Sequence, residues 1–134
     1  MRRRRILLVA LLLVAASVAG LDAQRGPRWT LIGARTVTDR ADHDTVRVTS
    51  SRGTFDAVRF EVRGRAVDFH RVVIHFANGG DQTVELRDTI RAGGESRVID
   101  VEGRDRVIQR IDFWYDANTV GRGGRATVRV LGRR

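Results

Sequence analysis

From Trp29 onward, apolar and polar residues alternate with a period of two over most of the chain. That spacing sends successive side chains of an extended strand to opposite faces. Trp29, Leu31, Gly33, Arg35 and Val37 alternate with Thr30, Ile32, Ala34 and Thr36 in a first predicted strand. Residues 45–49 form a short second strand around Val46 and Val48. In a third, Val58, Phe60 and Val62 share one face, Arg59, Glu61 and Arg63 take the other, and Gly64 ends the run. Such half-apolar strands bury one face and leave a charged face in water.

Between Ala66 and Ala77 the alternation changes phase. Val67 and Phe69 lie in one parity, Val72, Ile74 and Phe76 in the other. A β-bulge near His70-Arg71, or two abutting strands, reconciles them, because one extra residue resets which face a strand presents. Asn78-Gly79-Gly80-Asp81 then has hairpin-turn chemistry, since Asn and Gly tolerate positive φ. The chain returns along residues 83–87 with Val84 and Leu86 inward, and residues 97–101 make a further strand before the turn Glu102-Gly103-Arg104-Asp105. A long strand follows, with Val107, Ile111, Phe113 and Tyr115 inward and Ile108, Arg110, Asp112 and Trp114 outward. After a glycine-rich loop over 118–124, Ala126, Val128 and Val130 complete the core face. Seven to nine strands at roughly ten-residue spacing, with no helical period, predict an all-β chain: a single antiparallel β-sandwich, jelly-roll-like.

The first residues follow another pattern. Arg2 to Arg5 precede an uninterrupted apolar run, Ile6 to Ala16, and then Ser17-Val18-Ala19. That order of basic, apolar and small residues predicts a signal peptide over 1–23, with cleavage after Ala19 or after Ala23. The run is shorter than the ~20 residues of a spanning helix, so no transmembrane anchor is expected. The protein is expected to be exported, to the periplasm or beyond the cell, as one domain over 24–134. That segment holds 21 arginines against 15 carboxylates, a net charge of +6, with no lysine and no cysteine. Disulfides, thiolate metal sites and a cysteine nucleophile are therefore excluded. The fixed positive charge suits an anionic envelope polymer, a glycan or another envelope protein as partner. Export argues against nucleic acid.

Leu31-Ile32-Gly33-Ala34, the acidic turn Asp42-His43-Asp44, the 72–76 strand and the closing 106–115 and 126–132 strands resemble the YaaI-like family. These are small exported bacterial proteins of unknown function. The resemblance implies export and one β-rich domain, and supplies no functional residues.

Asp39, Asp42, His43 and Asp44 form the densest acidic cluster. Asp39, Asp42 and Asp44 are candidate Ca²⁺ ligands, given further oxygens from elsewhere. Aspartates in loops equally cap turns through their own backbone, and that is the favoured reading. His70 and His75 would share one side of the sheet only if the bulge lies between them, and zinc would need a third ligand. Ser50, Ser51 and Ser96 lie in or beside turns, without the strand-to-helix setting of a nucleophile. Asp112 and Asp116 are a carboxylate pair that nothing in the sequence sets apart. Arg122 and Arg125, with Arg133 and Arg134, make a basic end suited to polyanions. Trp114 has outward parity, and an exposed tryptophan on a sheet face can stack on a sugar ring. The favoured reading is that it covers the far side of the sheet or is capped by the 116–124 loop. No catalytic constellation emerges, so a non-catalytic binding or structural module is expected. The alternative is a small metal-dependent hydrolase using the Asp/His loop.

The intact mass of exported protein is expected to correspond to a chain starting at Gly20 or at Gln24. Retention of Arg2 to Arg5 would refute the signal peptide.

Overall fold

The computed structural model describes residues 28–134. The expected signal peptide and both expected cleavage positions lie outside the described residues. Ten strands run in chain order: β1 (Trp29–Thr38), β2 (His43–Arg47), β3 (Thr54–Phe55), β4 (Ala57–Arg63), β5 (Val67–Phe76), β6 (Asp81–Val84), β7 (Asp88–Ile90), β8 (Ile99–Asp100), β9 (Arg106–Asp116) and β10 (Arg125–Arg133). A one-turn helix, α1 (Ala117–Val120), occupies the start of the loop expected to be irregular. No described helix is long and apolar enough to cross a membrane.

The strands form two antiparallel sheets. One has the order β1-β10-β4-β8. The other has the order β2-β9-β5-β6, with β3 continuing beside β9 and β7 beside β5. The chain crosses repeatedly between the sheets, placing β1, β4, β8 and β10 in one and β2, β5, β6 and β9 in the other, as in a jelly-roll-like sandwich. Strand number exceeds the expected seven to nine because β3, β7 and β8 are two- or three-residue pieces. The strand expected over 97–101 contracts to Ile99–Asp100. Ahead of it, the segment around Ser96 bonds to β4 outside regular pairing: the Phe60 N–H donates to Ser96 Oγ at 2.9 Å, and the Ser96 N–H donates to the Phe60 carbonyl at 2.8 Å. This buried serine satisfies the Phe60 backbone at the edge of β4, and beside it the Val62 N–H donates to the Gly94 carbonyl and the Val62 carbonyl accepts the Gly93 N–H.

The core lies between the sheets. Val58, Phe60, Val62, Ile74, Ile111, Phe113 and Val128 are fully buried and Phe76 is 4% exposed, as the alternation predicts. Phe60 of the first sheet packs on Phe69 and Phe113 of the second, with ring centroids 5.5 and 6.2 Å away. Phe69 and Phe113 are themselves 5.8 Å apart. Two glycines mark close approaches. A Cβ on Gly132 would lie 2.5 Å from the Phe55 ring, and one on Gly33 would overlap Val46 where the sheets meet at β1 and β2.

Three register shifts keep apolar residues inward. Between Phe69 and Arg71 of β5 the pairing with β9 moves from Tyr115 to Trp114, leaving His70 as the extra residue of the expected bulge. A second shift makes Gln109 the extra residue of β9. It reverses the expected parity upstream: Ile108 is fully buried and Val107 only half-buried, the opposite of the alternation carried back from Ile111. In β1 the shift falls between Leu31 and Gly33. Ile32 turns inward there, and Leu31 lies 39% exposed.

Phe113→Ala removes the ring touching both sheets, and is expected to lower unfolding free energy by ~3–5 kcal/mol. A chemical-denaturation midpoint unchanged from wild type would show that Phe113 is not at the centre of the core.

Candidate functional site

Between the bulges at His70 and Gln109, β5 and β9 run in uninterrupted register. Their outward residues therefore line up with those of β2 and β6 in three rows. The first is His43, Trp114, Arg71; the second Thr45, Asp112, Val73, Thr83; the third Arg47, Arg110, His75, Asp81. Directly opposed and diagonal side chains of neighbouring strands are within reach of one another. This outer face of the six-stranded sheet collects chemistry that is scattered along the chain.

Asp112 sits at its centre. Its Oδ1 accepts from the Thr45 hydroxyl at 2.5 Å and lies 3.7 Å from His43 Nε2. Its Oδ2 lies 2.8 Å from His75 Nε2 and 3.8 Å from Arg110 Nε. The other ring nitrogen of His75, Nδ1, is 2.7 Å from Asp81 Oδ1. A carboxylate thus stands within hydrogen-bond distance of each ring nitrogen. A ring held this way has both nitrogens engaged by neighbouring side chains. Burial pushes the Asp112 carboxyl upward, but the Thr45 and His75 hydrogen bonds and the charges of His75 and His43 outweigh it, leaving it below the usual carboxylate value.

Trp114 stands half-buried at the edge of this network. His43 stacks on it with centroids 4.5 Å apart and planes 29° apart. The Arg71 guanidinium lies 4.0 Å from its ring centroid on the neighbouring strand. Both covering groups are exposed side chains, not core.

The remaining sequence candidates fall elsewhere. Asp39 Oδ2 accepts the Gly123 N–H at 2.9 Å. Asp44 takes Arg35 Nε at 3.1 Å and the Tyr115 hydroxyl at 2.8 Å, and the Asp42 carbonyl accepts the Tyr115 N–H at 3.0 Å. Burial, and then the Asp44 bond, push the Tyr115 hydroxyl far above the usual phenol range. The carboxylates of Asp39 and Asp44 are thus taken up by bonds to different parts of the chain, and Asp42 contributes its backbone carbonyl. Among the described residues, no three His, Asp or Glu side chains are placed to hold a metal ion. His70 is exposed at the bulge, 4.0 Å from Asp68. Asp116 caps α1 through the Asn118 N–H at 2.9 Å, which separates it from Asp112. Arg122 and Arg125 are exposed, and Arg125 lines a 160 Å³ recess together with Asp39 and Arg40. Arg133 and Arg134 lie at the opposite end of β10, so the basic end of the sequence is two sites, roughly 26 Å apart along an extended strand. The Asp112–His75–Asp81 chain was not visible in the sequence, because it depends on the register that the two bulges impose.

Because the folded-state value of Asp112 is depressed, the stability it contributes is fully present above its unfolded value of about 4 and is lost as pH falls through the folded value. Asp112→Asn is expected to be less stable than wild type at pH 7, with the gap closing below about pH 4. Thermal midpoints of both proteins from pH 7 to pH 2.5 check this, and a gap independent of pH would contradict the assignment.

No curated protein matches the chain in sequence. Among solved structures, AlgX of Pseudomonas aeruginosa superposes with a TM-score of 0.50 at 13% identity, over 78% of this chain and 26% of AlgX. This chain therefore spans about a quarter of that protein, and the likeness bears on the fold alone. A family 29 carbohydrate-binding module, CBM29-2, in complex with cellulohexaose gives a TM-score of 0.42 at 15% identity, covering 79% of this chain and 90% of the module. The SPBc2 prophage-derived protein YomS gives 0.42 at 14%, covering 82% and 96%. The family model described as "Domain of unknown function (DUF2541)" matches residues 6–132, and the chain belongs to that family.

Proposed function

We propose that the chain is an exported, non-catalytic β-sandwich module of the bacterial envelope that binds a glycan across the outer face of its six-stranded sheet. Export rests on the Arg2–Arg5, Ile6–Ala16 and Ser17–Ala19 sequence, and the resemblance to the YaaI-like family of exported proteins supports it. The observation that carries the binding reading is the placement of Trp114. It stands on the solvent side of the sheet, in line with His43 and Arg71, beside a polar floor whose side chains are already fixed by mutual hydrogen bonds.

Each part has a role in that reading. The indole offers an apolar face to the C–H side of a sugar ring. Arg71 covers that face in the free protein. An exposed cation–aromatic contact is worth only about 0.5–1 kcal/mol, so a ring of matching area displaces it at small cost. The displaced guanidinium and the imidazole of His43 then face the sugar hydroxyls. Thr45, Asp112, His75 and Asp81 hold one another in place before ligand arrives, which lowers the ordering cost of binding. The same mutual satisfaction supports binding over catalysis, because His75 is committed at both nitrogens.

Trp114→Ala is expected to abolish binding of neutral and acidic hexaose probes in isothermal titration while the thermal midpoint stays near that of wild type. A wild-type protein that binds none of the oligosaccharides, with a variant that loses stability, would make Trp114 a structural cover and overturn the proposal.

A further inference from the structure

A second constellation lies away from the six-stranded face, where the end of β10 meets the turn between β8 and β9. A cavity of about 370 Å³ opens there, lined by Asp56, Asp100, Val101, Arg104 and Arg133. Its size falls within the ~300–1,000 Å³ of small-molecule sites.

Arg133 is held in place from two sides. Its Nε donates to Asp56 Oδ1 at 3.0 Å, and its guanidinium carbon lies 5.5 Å from the Trp29 ring centroid. Its Nη2 is 3.8 Å from Asp100 Oδ1, beyond hydrogen-bond length. Both Nη groups thus keep donors for the cavity. Arg104 reaches the same space from a turn in which Gly103, Arg104 and Asp105 all have positive φ, at 81°, 50° and 45°. Glycine takes that conformation freely and arginine does so at a cost. Two-residue turns of this hand favour Asn-Gly, so Arg104-Asp105 is a locally unfavourable choice. Backbone strain kept in a wall of a cavity is a recurrent mark of a functional site. Among the described residues, no carboxylate pairs with Arg104.

The lining fixes the ligand class. Two planar guanidinia with donors to spare match a carboxylate, which accepts two parallel N–H bonds. Asp56 and Asp100 in the same wall repel a bare anion. An anion that also carries hydroxyl groups turns that repulsion into hydrogen bonds, because each hydroxyl donates to a carboxylate. We propose that this cavity binds a small hydroxylated carboxylate, a sugar acid, with its carboxylate between Arg104 and Arg133 and its hydroxyls toward Asp100 and Asp56. The proposal is independent of the glycan face at Trp114.

Titration of the folded protein with glucuronate, glucose and acetate tests it, followed by amide chemical shifts. Glucuronate is expected to shift residues 100–105 and 133, with acetate and glucose at least tenfold weaker. A triuronide arm separates the sources: tighter binding than the monomer points to the end of an acidic polysaccharide, and equal binding to a free sugar acid, and either supports the site. Arg104→Ala is expected to weaken glucuronate at least tenfold. Arg104→Gly, which relieves the left-handed backbone, is expected to lose binding without a lower thermal midpoint, so loss of fold is not the explanation. Arg91→Gln removes the same charge at a distant turn and is expected to bind as wild type. The proposal is overturned if glucuronate does not bind, if Arg104→Ala binds unchanged, if Arg91→Gln weakens binding equally, or if Trp114→Ala abolishes it while Arg104→Ala does not.

Discussion

Phe69 and Phe113 lie 5.8 Å apart on neighbouring strands, both fully buried and both against Phe60 of the opposite sheet. For that contact to coexist with inward Val72, Ile74 and Ile108, the strands must change parity on either side of it. A strand alternates faces every residue, so a single slip would put an entire apolar set in water. The extra residues His70 and Gln109 absorb the changes. Burial of one continuous core thereby dictates the register of the central pair of strands, and that register dictates which polar side chains meet on the far side.

The outer face follows from this. Between the two bulges, Asp112 is opposite Thr45 and diagonal to His43 and His75, and all three address its carboxylate. A polar network is sound only when its members satisfy one another, and this one reaches from β2 to β6. It braces the four strands across their exposed side much as the phenylalanines brace them from within. Trp114 belongs to this layer, resting between a histidine and an arginine.

Arginine is used throughout in a way lysine would not reproduce. Guanidinium groups lie over Trp29, Trp114, Phe76 and Phe55, and at Arg106 the same group also bonds Asn78 Oδ1 at 2.8 Å, tying the turn after β5 to β9. A planar, delocalised cation stacks and hydrogen-bonds at once, whereas an ammonium does one or the other. The positive charge is therefore spread over aromatic edges and ion pairs around the sandwich, and is not gathered at the C-terminal end.

The sequence by itself determined the class of fold and most of the core, because periodicity is local: Val58, Phe60, Val62 and Ile111, Phe113, Tyr115 announce their buried face in their own spacing. The bulge at His70 was legible for the same reason, since apolar residues of opposite phase flank it. The bulge at Gln109 was not, because Val107 and Ile108 are both apolar and either parity satisfies the pattern; only pairing with Phe76 of β5 decides it. Trp114 was visible as an outward aromatic, whereas its partners His43 and Arg71 lie on other strands. The meeting of Asp112 with His75 and Asp81, the dispersal of Asp39, Asp42 and Asp44 into separate bonds, and the splitting of the four C-terminal arginines between two ends of β10 were likewise decided by tertiary structure. Each depends on distances between residues far apart in the chain, which strand order and register set and which no spacing along the sequence encodes.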